Sequence, residues 1–147
     1  MVNKMHDINY YHTFIKTAPD CPVMTAQEPS TRNGKATIAR IQFDLIATSP
    51  YVYTQEDILF ETHLRHKGLA DALSEQEKAE LREVFFSKPM ACLRASPLPK
   101  QFGWGIHFDE AGRTALVAME DELYQQLSEM PPEGLTCLNA MRNKRGG

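Results

Sequence analysis

Between Cys92 and His107 the chain carries a thiol, a guanidinium, a hydroxyl, an amine, an indole and an imidazole within sixteen positions. Arg94 and Lys100 suit an oxyanion, the first as a planar fork of donors and the second as a point charge. Trp104 offers a flat apolar wall of the kind that lines small-ligand pockets. Gly103 and Gly105 flank it, and two glycines there either let backbone approach a ligand or mark a bulge in a packed strand. On the first reading Arg94, Ser96, Lys100, Trp104 and His107 form a ligand-binding set for a small anion. Cys92 and His107 add a second chemistry, a nucleophile with its base, if adjacent strands bring them together. Asp109, two residues beyond His107, then lies on the same strand face and can orient the imidazole. The plainer alternative makes Trp104 a core residue and Cys92 a small buried hydrophobe.

The remaining combinations are weaker. Ser96 and Lys100 do not have S-x-x-K spacing, and Pro97 and Pro99 argue against a helix that would hold them on one face. His63 and His66 share a helix face near Glu56 and Glu61, but H-E-x-x-H is absent, and histidines near a helix C-terminus also suit its dipole. No metal site is expected. His6 and His12 read as surface residues. Tyr10, Tyr11, Tyr51 and Tyr53 suit either a partner surface or ordinary packing. There is no P-loop and no G-x-G-x-x-G, so no nucleotide cofactor is expected.

The elements that must position these groups follow from pattern. Residues 10–17 are aromatic and β-branched and read as a strand, ended by Asp20-Cys21-Pro22. Residues 23–35 read as a loop with turns at Pro29 and Asn33-Gly34. Ile38, Ile41, Leu45 and Ile46 fall on one helical stripe, closed by Pro50. Thr54 is a candidate N-cap, with Asp57 three residues on, for a helix burying Ile58, Leu59 and Leu64 and ending near Gly68. Ser74-x-x-Glu77 is a capping box opening a third helix with Leu81, Val84 and Phe85 on one face. Residues 92–99 read as extended, broken by Pro97 and Pro99. Residues 104–108 and 114–119 read as a hairpin with Gly112 late in its loop. A helix over 120–130, with Leu123, Tyr124 and Leu127 as its apolar face, and a strand over 135–141 complete the order. Strands and helices partly segregate, so the expected class is α+β: a small mixed or antiparallel sheet with helices packed on it.

The 147 residues form one domain on this reading, with short flexible termini over about 1–8 and 142–147. Apolar residues at 42% and charged residues at 24% are globular values. A net charge of −3 argues against nucleic acid, and the only dense basic run, Arg142, Lys144 and Arg145, reads as a solubilising tail. Three cysteines at unrelated spacings suit a reducing compartment better than a disulfide framework. No signal-peptide core and no transmembrane run is visible, so the expected location is the cytoplasm, away from membranes.

Cys92-Leu93-Arg94-Ala95-Ser96-Pro97-Leu98 followed by Phe102-Gly103-Trp104-Gly105-Ile106-His107 is an unusual combination. With Thr13-Phe14-Ile15, Asp20-Cys21-Pro22, Pro50-Tyr51 and Tyr53-Thr54 it resembles a family of short bacterial proteins, domain of unknown function 6157, from about residue 9 to residue 142. Phe102 stands where that pattern carries tyrosine. The resemblance implies a bacterial, intracellular, single-domain protein and brings no catalytic residue, substrate or cofactor with it. The leading expectation is therefore a module that binds a small anionic ligand or a protein partner through the 92–107 segment. The rivals are an enzyme using Cys92 or His107, and a structural or oligomerisation protein whose unusual motif is a dimer seam.

Overall fold

The two strands of the expected hairpin sit side by side in a four-stranded sheet, in a computed structural model that describes residues 7–144. They are β2 (Trp104–Phe108) and β3 (Thr114–Ala118), and β1 (Thr13–Lys16) pairs antiparallel with β2. The last strand, β4 (Thr136–Asn139), lies parallel to β1 at the far edge, giving the order β3-β2-β1-β4. The sheet is thus mixed. The Asp109–Arg113 loop closes because the Asp109 carboxylate accepts from the Ala111 and Arg113 N–H groups and Gly112 takes φ +82°.

Among the described residues there are five helices: α1 (Ile38–Thr48), α2 (Gln55–His66), α3 (Glu75–Phe85), α4 (Pro97–Gln101) and α5 (Glu122–Glu129). Thr37, Thr54 and Ser74 each accept the third N–H of their helix. Asp57 and Glu77 reach back to complete two capping boxes, as the sequence pattern requires. No helix among the described residues is long and apolar enough to cross a membrane.

Strand alternation divides the sheet into two faces. Ile15, Ile106 and Phe108 point to one face and pack with Ile41, Leu45 and Ile46 of α1, Ile58 of α2, and Leu93 and Leu98. Phe14 and Val117 point to the other, where Leu127 and Tyr124 of α5 cover them. Gly105 lies under this second cluster because a Cβ there would stand 2.7 Å from the Phe14 ring and 3.0 Å from Tyr124. Its missing side chain serves internal packing.

Three expectations are corrected. Residues 92–99 are not extended: a 3-10 turn over Leu93–Ala95 leads into α4. Ser96 caps that helix, and Pro97 stands in its first turn. A first-turn proline gives up an N–H that has no intrahelical partner anyway, so prolines that read as breakers act here as starters. Helix α3 has no buried residue, and Val84 is 62% exposed. It docks on α2 through Phe85 and Phe86 against Phe60, with Arg82 over the Phe60 and Phe86 rings and 3.0 Å from Asp57. Leu123 of α5 is exposed while Tyr124 and Leu127 pack.

The flexible termini expected at 1–8 and 142–147 lie partly outside the described residues, as does His6. Within them, Ile8 donates its N–H to Glu56 and accepts from the Gln55 amide. At the other end, the Asp20 carboxylate accepts the N–H groups of Asn143 and Lys144 at 3.0 Å each.

Candidate functional site

The chemistry-bearing residues of 92–107 fall into three separate environments. Arg94, on the 3-10 turn, flanks the outer edge of β4: its Nε donates to the Asn139 carbonyl at 2.8 Å, and its own carbonyl accepts from Met141 N–H. There it lines an open cleft of about 630 Å³ together with Pro19, Ala140, Met141, Arg142 and Lys144. Lys100 reaches the same segment through its carbonyl, which accepts from the Asn143 amide at 2.8 Å. Two of the three residues read as a basic tail therefore frame a cavity with Arg94. The segment is held in place by Asp20, whose carboxyl is kept below its ordinary pKa by the backbone N–H groups of Asn143 and Lys144.

Cys92, Ser96 and Trp104 are occupied by the fold. The Tyr10 hydroxyl donates to the Cys92 sulfur at 3.3 Å, and burial first, then Cys92, pushes the Tyr10 phenol up to about 12. Ser96 is 5% exposed, donates to Gln42 Oε1 at 2.6 Å and accepts from Leu98 N–H. Trp104 donates its indole N–H to the Gln27 carbonyl at 2.8 Å and packs its ring against Phe43.

His107 stands apart. Its register with Phe14 and Ala115 places it on the α5 face, whereas Trp104 and Phe108 point to the α1 face. Cys92 belongs to that opposite side, since Tyr10, its partner, lies edge-on to Phe108. The Cys92–His107 dyad is therefore not assembled. Nor does Arg94 meet His107: β1 and β4 stand between them, three strand spacings or about 14 Å. The single site expected from Arg94, Lys100, Trp104 and His107 does not form, because alternation along β2 sends Trp104 and His107 to opposite faces.

His107 has other partners. Tyr51 Oη lies 2.9 Å from its Nδ1, with the rings edge to face at 5.7 Å. Burial lowers the imidazole pKa; Asp109 acts against that and His12 adds to it. Burial also raises the Tyr51 phenol, and Asp109 raises it further. Among the described residues three that are not glycine take the left-handed conformation: Asn33 at φ 53°, His12 at 46° and Tyr51 at 59°. Asn33 is explained by its Asn-Gly turn between Arg32 and Lys35. His12 and Tyr51 both belong to the surroundings of His107, and each costs roughly 1–2 kcal/mol of backbone energy. Tyr51 is held there by its N–H to the Thr114 carbonyl at 2.8 Å, and His12 by its ring at the Glu133 carbonyl. Pattern reading missed this cluster because its members come from three distant segments, joined by sheet register and by the Tyr51 N–H bond to the Thr114 carbonyl.

Of the other histidines, His63 packs against Phe85 with ring centroids 4.8 Å apart. No group of three or more His, Cys, Asp or Glu among the described residues is arranged to hold a metal.

A lowered His107 pKa has a definite sign. Around pH 6.5 the unfolded chain takes up the proton before the folded one does, so stability is full above that pH and falls as pH drops toward the folded-state pKa. His107→Gln is expected to flatten the dependence of the urea midpoint between pH 7.5 and pH 5.5; an unchanged slope refutes the assignment.

These features define a small α+β domain: a mixed sheet with its main core on one face, a single short helix on the other, and a basic cleft at the outer edge of β4. The chain belongs to the family of unknown function DUF6157, whose family model matches residues 5–146. No curated protein and no solved structure matches it.

Proposed function

We propose that this protein is a binding module for a small anionic ligand, seated in the cleft between Arg94 and the C-terminal segment 139–144. The observation that carries this reading is the convergence of Arg94, Arg142 and Lys144 on one open surface cleft of about 630 Å³. Arg94 is oriented beforehand by its bond to the Asn139 carbonyl, so little side-chain entropy is lost when it meets an oxyanion. Pro19, Ala140 and Met141 supply apolar contact for the body of such a ligand. The setting proposed is a reducing cytoplasm, which suits three free cysteines.

Titration with phosphate, pyrophosphate and short dicarboxylates, followed by calorimetry and melting temperature, tests the reading. At least one anion is expected to bind and to weaken as salt is raised. Arg142→Ala with Lys144→Ala is expected to weaken it about 100-fold or more, each charge-assisted hydrogen bond contributing about 1.5–3 kcal/mol. If no anion binds, or the double variant binds equally well, the proposal fails.

A further inference from the structure

The Tyr51–His107 pair lies outside the anion cleft and is not used by it. Its geometry matches the requirement for an activated nucleophile: a hydroxyl within hydrogen-bond reach of a base, here at 2.9 Å. The hydroxyl belongs to a residue 39% exposed, just after Pro50, on a backbone held left-handed by the Thr114 carbonyl. Sparsely populated backbone of this kind persists where surrounding structure over-determines it, and it collects at functional sites. Two such residues, His12 and Tyr51, bear on one imidazole.

We infer that Tyr51 and His107 form a nucleophile–base dyad that accepts an acyl group from an activated acyl donor on Tyr51 Oη. With the phenol as donor, Nδ1 of a neutral His107 is the acceptor and the ring proton sits on Nε2. In the step, a bond forms between Tyr51 Oη and the acyl carbon. The bond from that carbon to the leaving group breaks, and its electron pair departs with the leaving group. The phenolic proton passes to His107 Nδ1 and from there to the leaving group. The groups whose charge bears on the pair are Asp109 at the end of β2 and His12 before β1. The negative charge of Asp109 disfavours a polyanionic phosphoryl donor and leaves a neutral acyl donor as the better substrate.

The test uses the whole protein with N-acetylimidazole as acyl donor, read by peptide mass spectrometry. Tyr11 serves as internal reference because it is more exposed, at 46%, and is hydrogen-bonded to the weaker base Asp7. Acetylation of Tyr51 is expected about ten-fold or more ahead of Tyr11. Its rate should rise with pH to a plateau with a midpoint below 6.5, as His107 loses its proton, and should not follow ionisation of the Tyr51 phenol, which burial pushes above its ordinary value. His107→Asn should slow Tyr51 about 100-fold and leave Tyr11 unchanged. The wild-type comparison and pH profile need no variant, so a misfolded His107→Asn does not blunt the test. Equal labelling of Tyr51 and Tyr11, a rate that climbs only through phenol ionisation, or undiminished labelling in a folded His107→Asn overturns the inference.

Discussion

Phe14→Ala is expected to destabilise the fold by about 3–5 kcal/mol, the range for removing a buried aromatic ring. Phe14 is fully buried on the thinly covered face of the sheet. Its ring meets Tyr124 edge to face at 5.2 Å and fills the space above Gly105. Nothing nearby can close the void, because Gly105 has no side chain and α5 is only eight residues long. Loss of the ring therefore weakens the attachment of α5 as well as the core. Urea unfolding measures the change, and Gly105→Ala in the Phe14→Ala background should recover part of it, since the added methyl then meets only the Tyr124 ring edge, 3.0 Å away, and that ring can shift toward the void. A loss below about 1.5 kcal/mol would mean that α5 collapses onto the sheet and that this second cluster contributes little.

Ser96→Ala separates the structural role of that residue from the ligand role its sequence context suggests. The hydroxyl donates to buried Gln42 Oε1 and caps α4 through Leu98 N–H. The alanine removes both contacts and leaves a buried amide oxygen without its donor. The expected loss is about 2–3 kcal/mol, combining a lost N-cap with an unsatisfied buried acceptor. Gln42→Leu added to Ser96→Ala should restore part of that stability, because both polar partners are then gone. Anion affinity in the Arg94 cleft should stay unchanged. A variant with native stability and impaired anion binding would return Ser96 to the ligand-contacting set.

The local elements were legible because their signals are local. Thr54 with Asp57 and Ser74 with Glu77 are capping boxes written within four residues. Of the stripe Ile38, Ile41, Leu45 and Ile46, the last three need only helical period to face a core, whereas Ile38, in the first turn, stays exposed. The hairpin of β2 and β3 needs only two short β-rich runs and a glycine-containing loop. Where local rules conflicted, tertiary context decided. Pro97 and Pro99 read as breakers, yet Ser96 is buried against Gln42 as a cap and turns the same residues into a helix start. The apolar face of α3 read as core, yet no residue of that helix is buried, and it docks on α2 through aromatic rings and Arg82.

The same distinction governs the sites. Residue types alone show that chemistry-bearing side chains gather at 92–107 and that Arg94 carries a fork of donors suited to an oxyanion. Only the fold decided which of those groups face each other. Alternation along β2 separates Trp104 from His107 by turning successive side chains to opposite faces. Two intervening strands separate His107 from Arg94. Conversely, parallel pairing of β1 with β4 carries Arg142 and Lys144 to the neighbourhood of Arg94, and the contact of Tyr51 with Thr114 carries a phenol to His107. Long-range register is invisible in a single chain because each residue type is compatible with many partners, and it is the packing of the sheet between its helices that selects one.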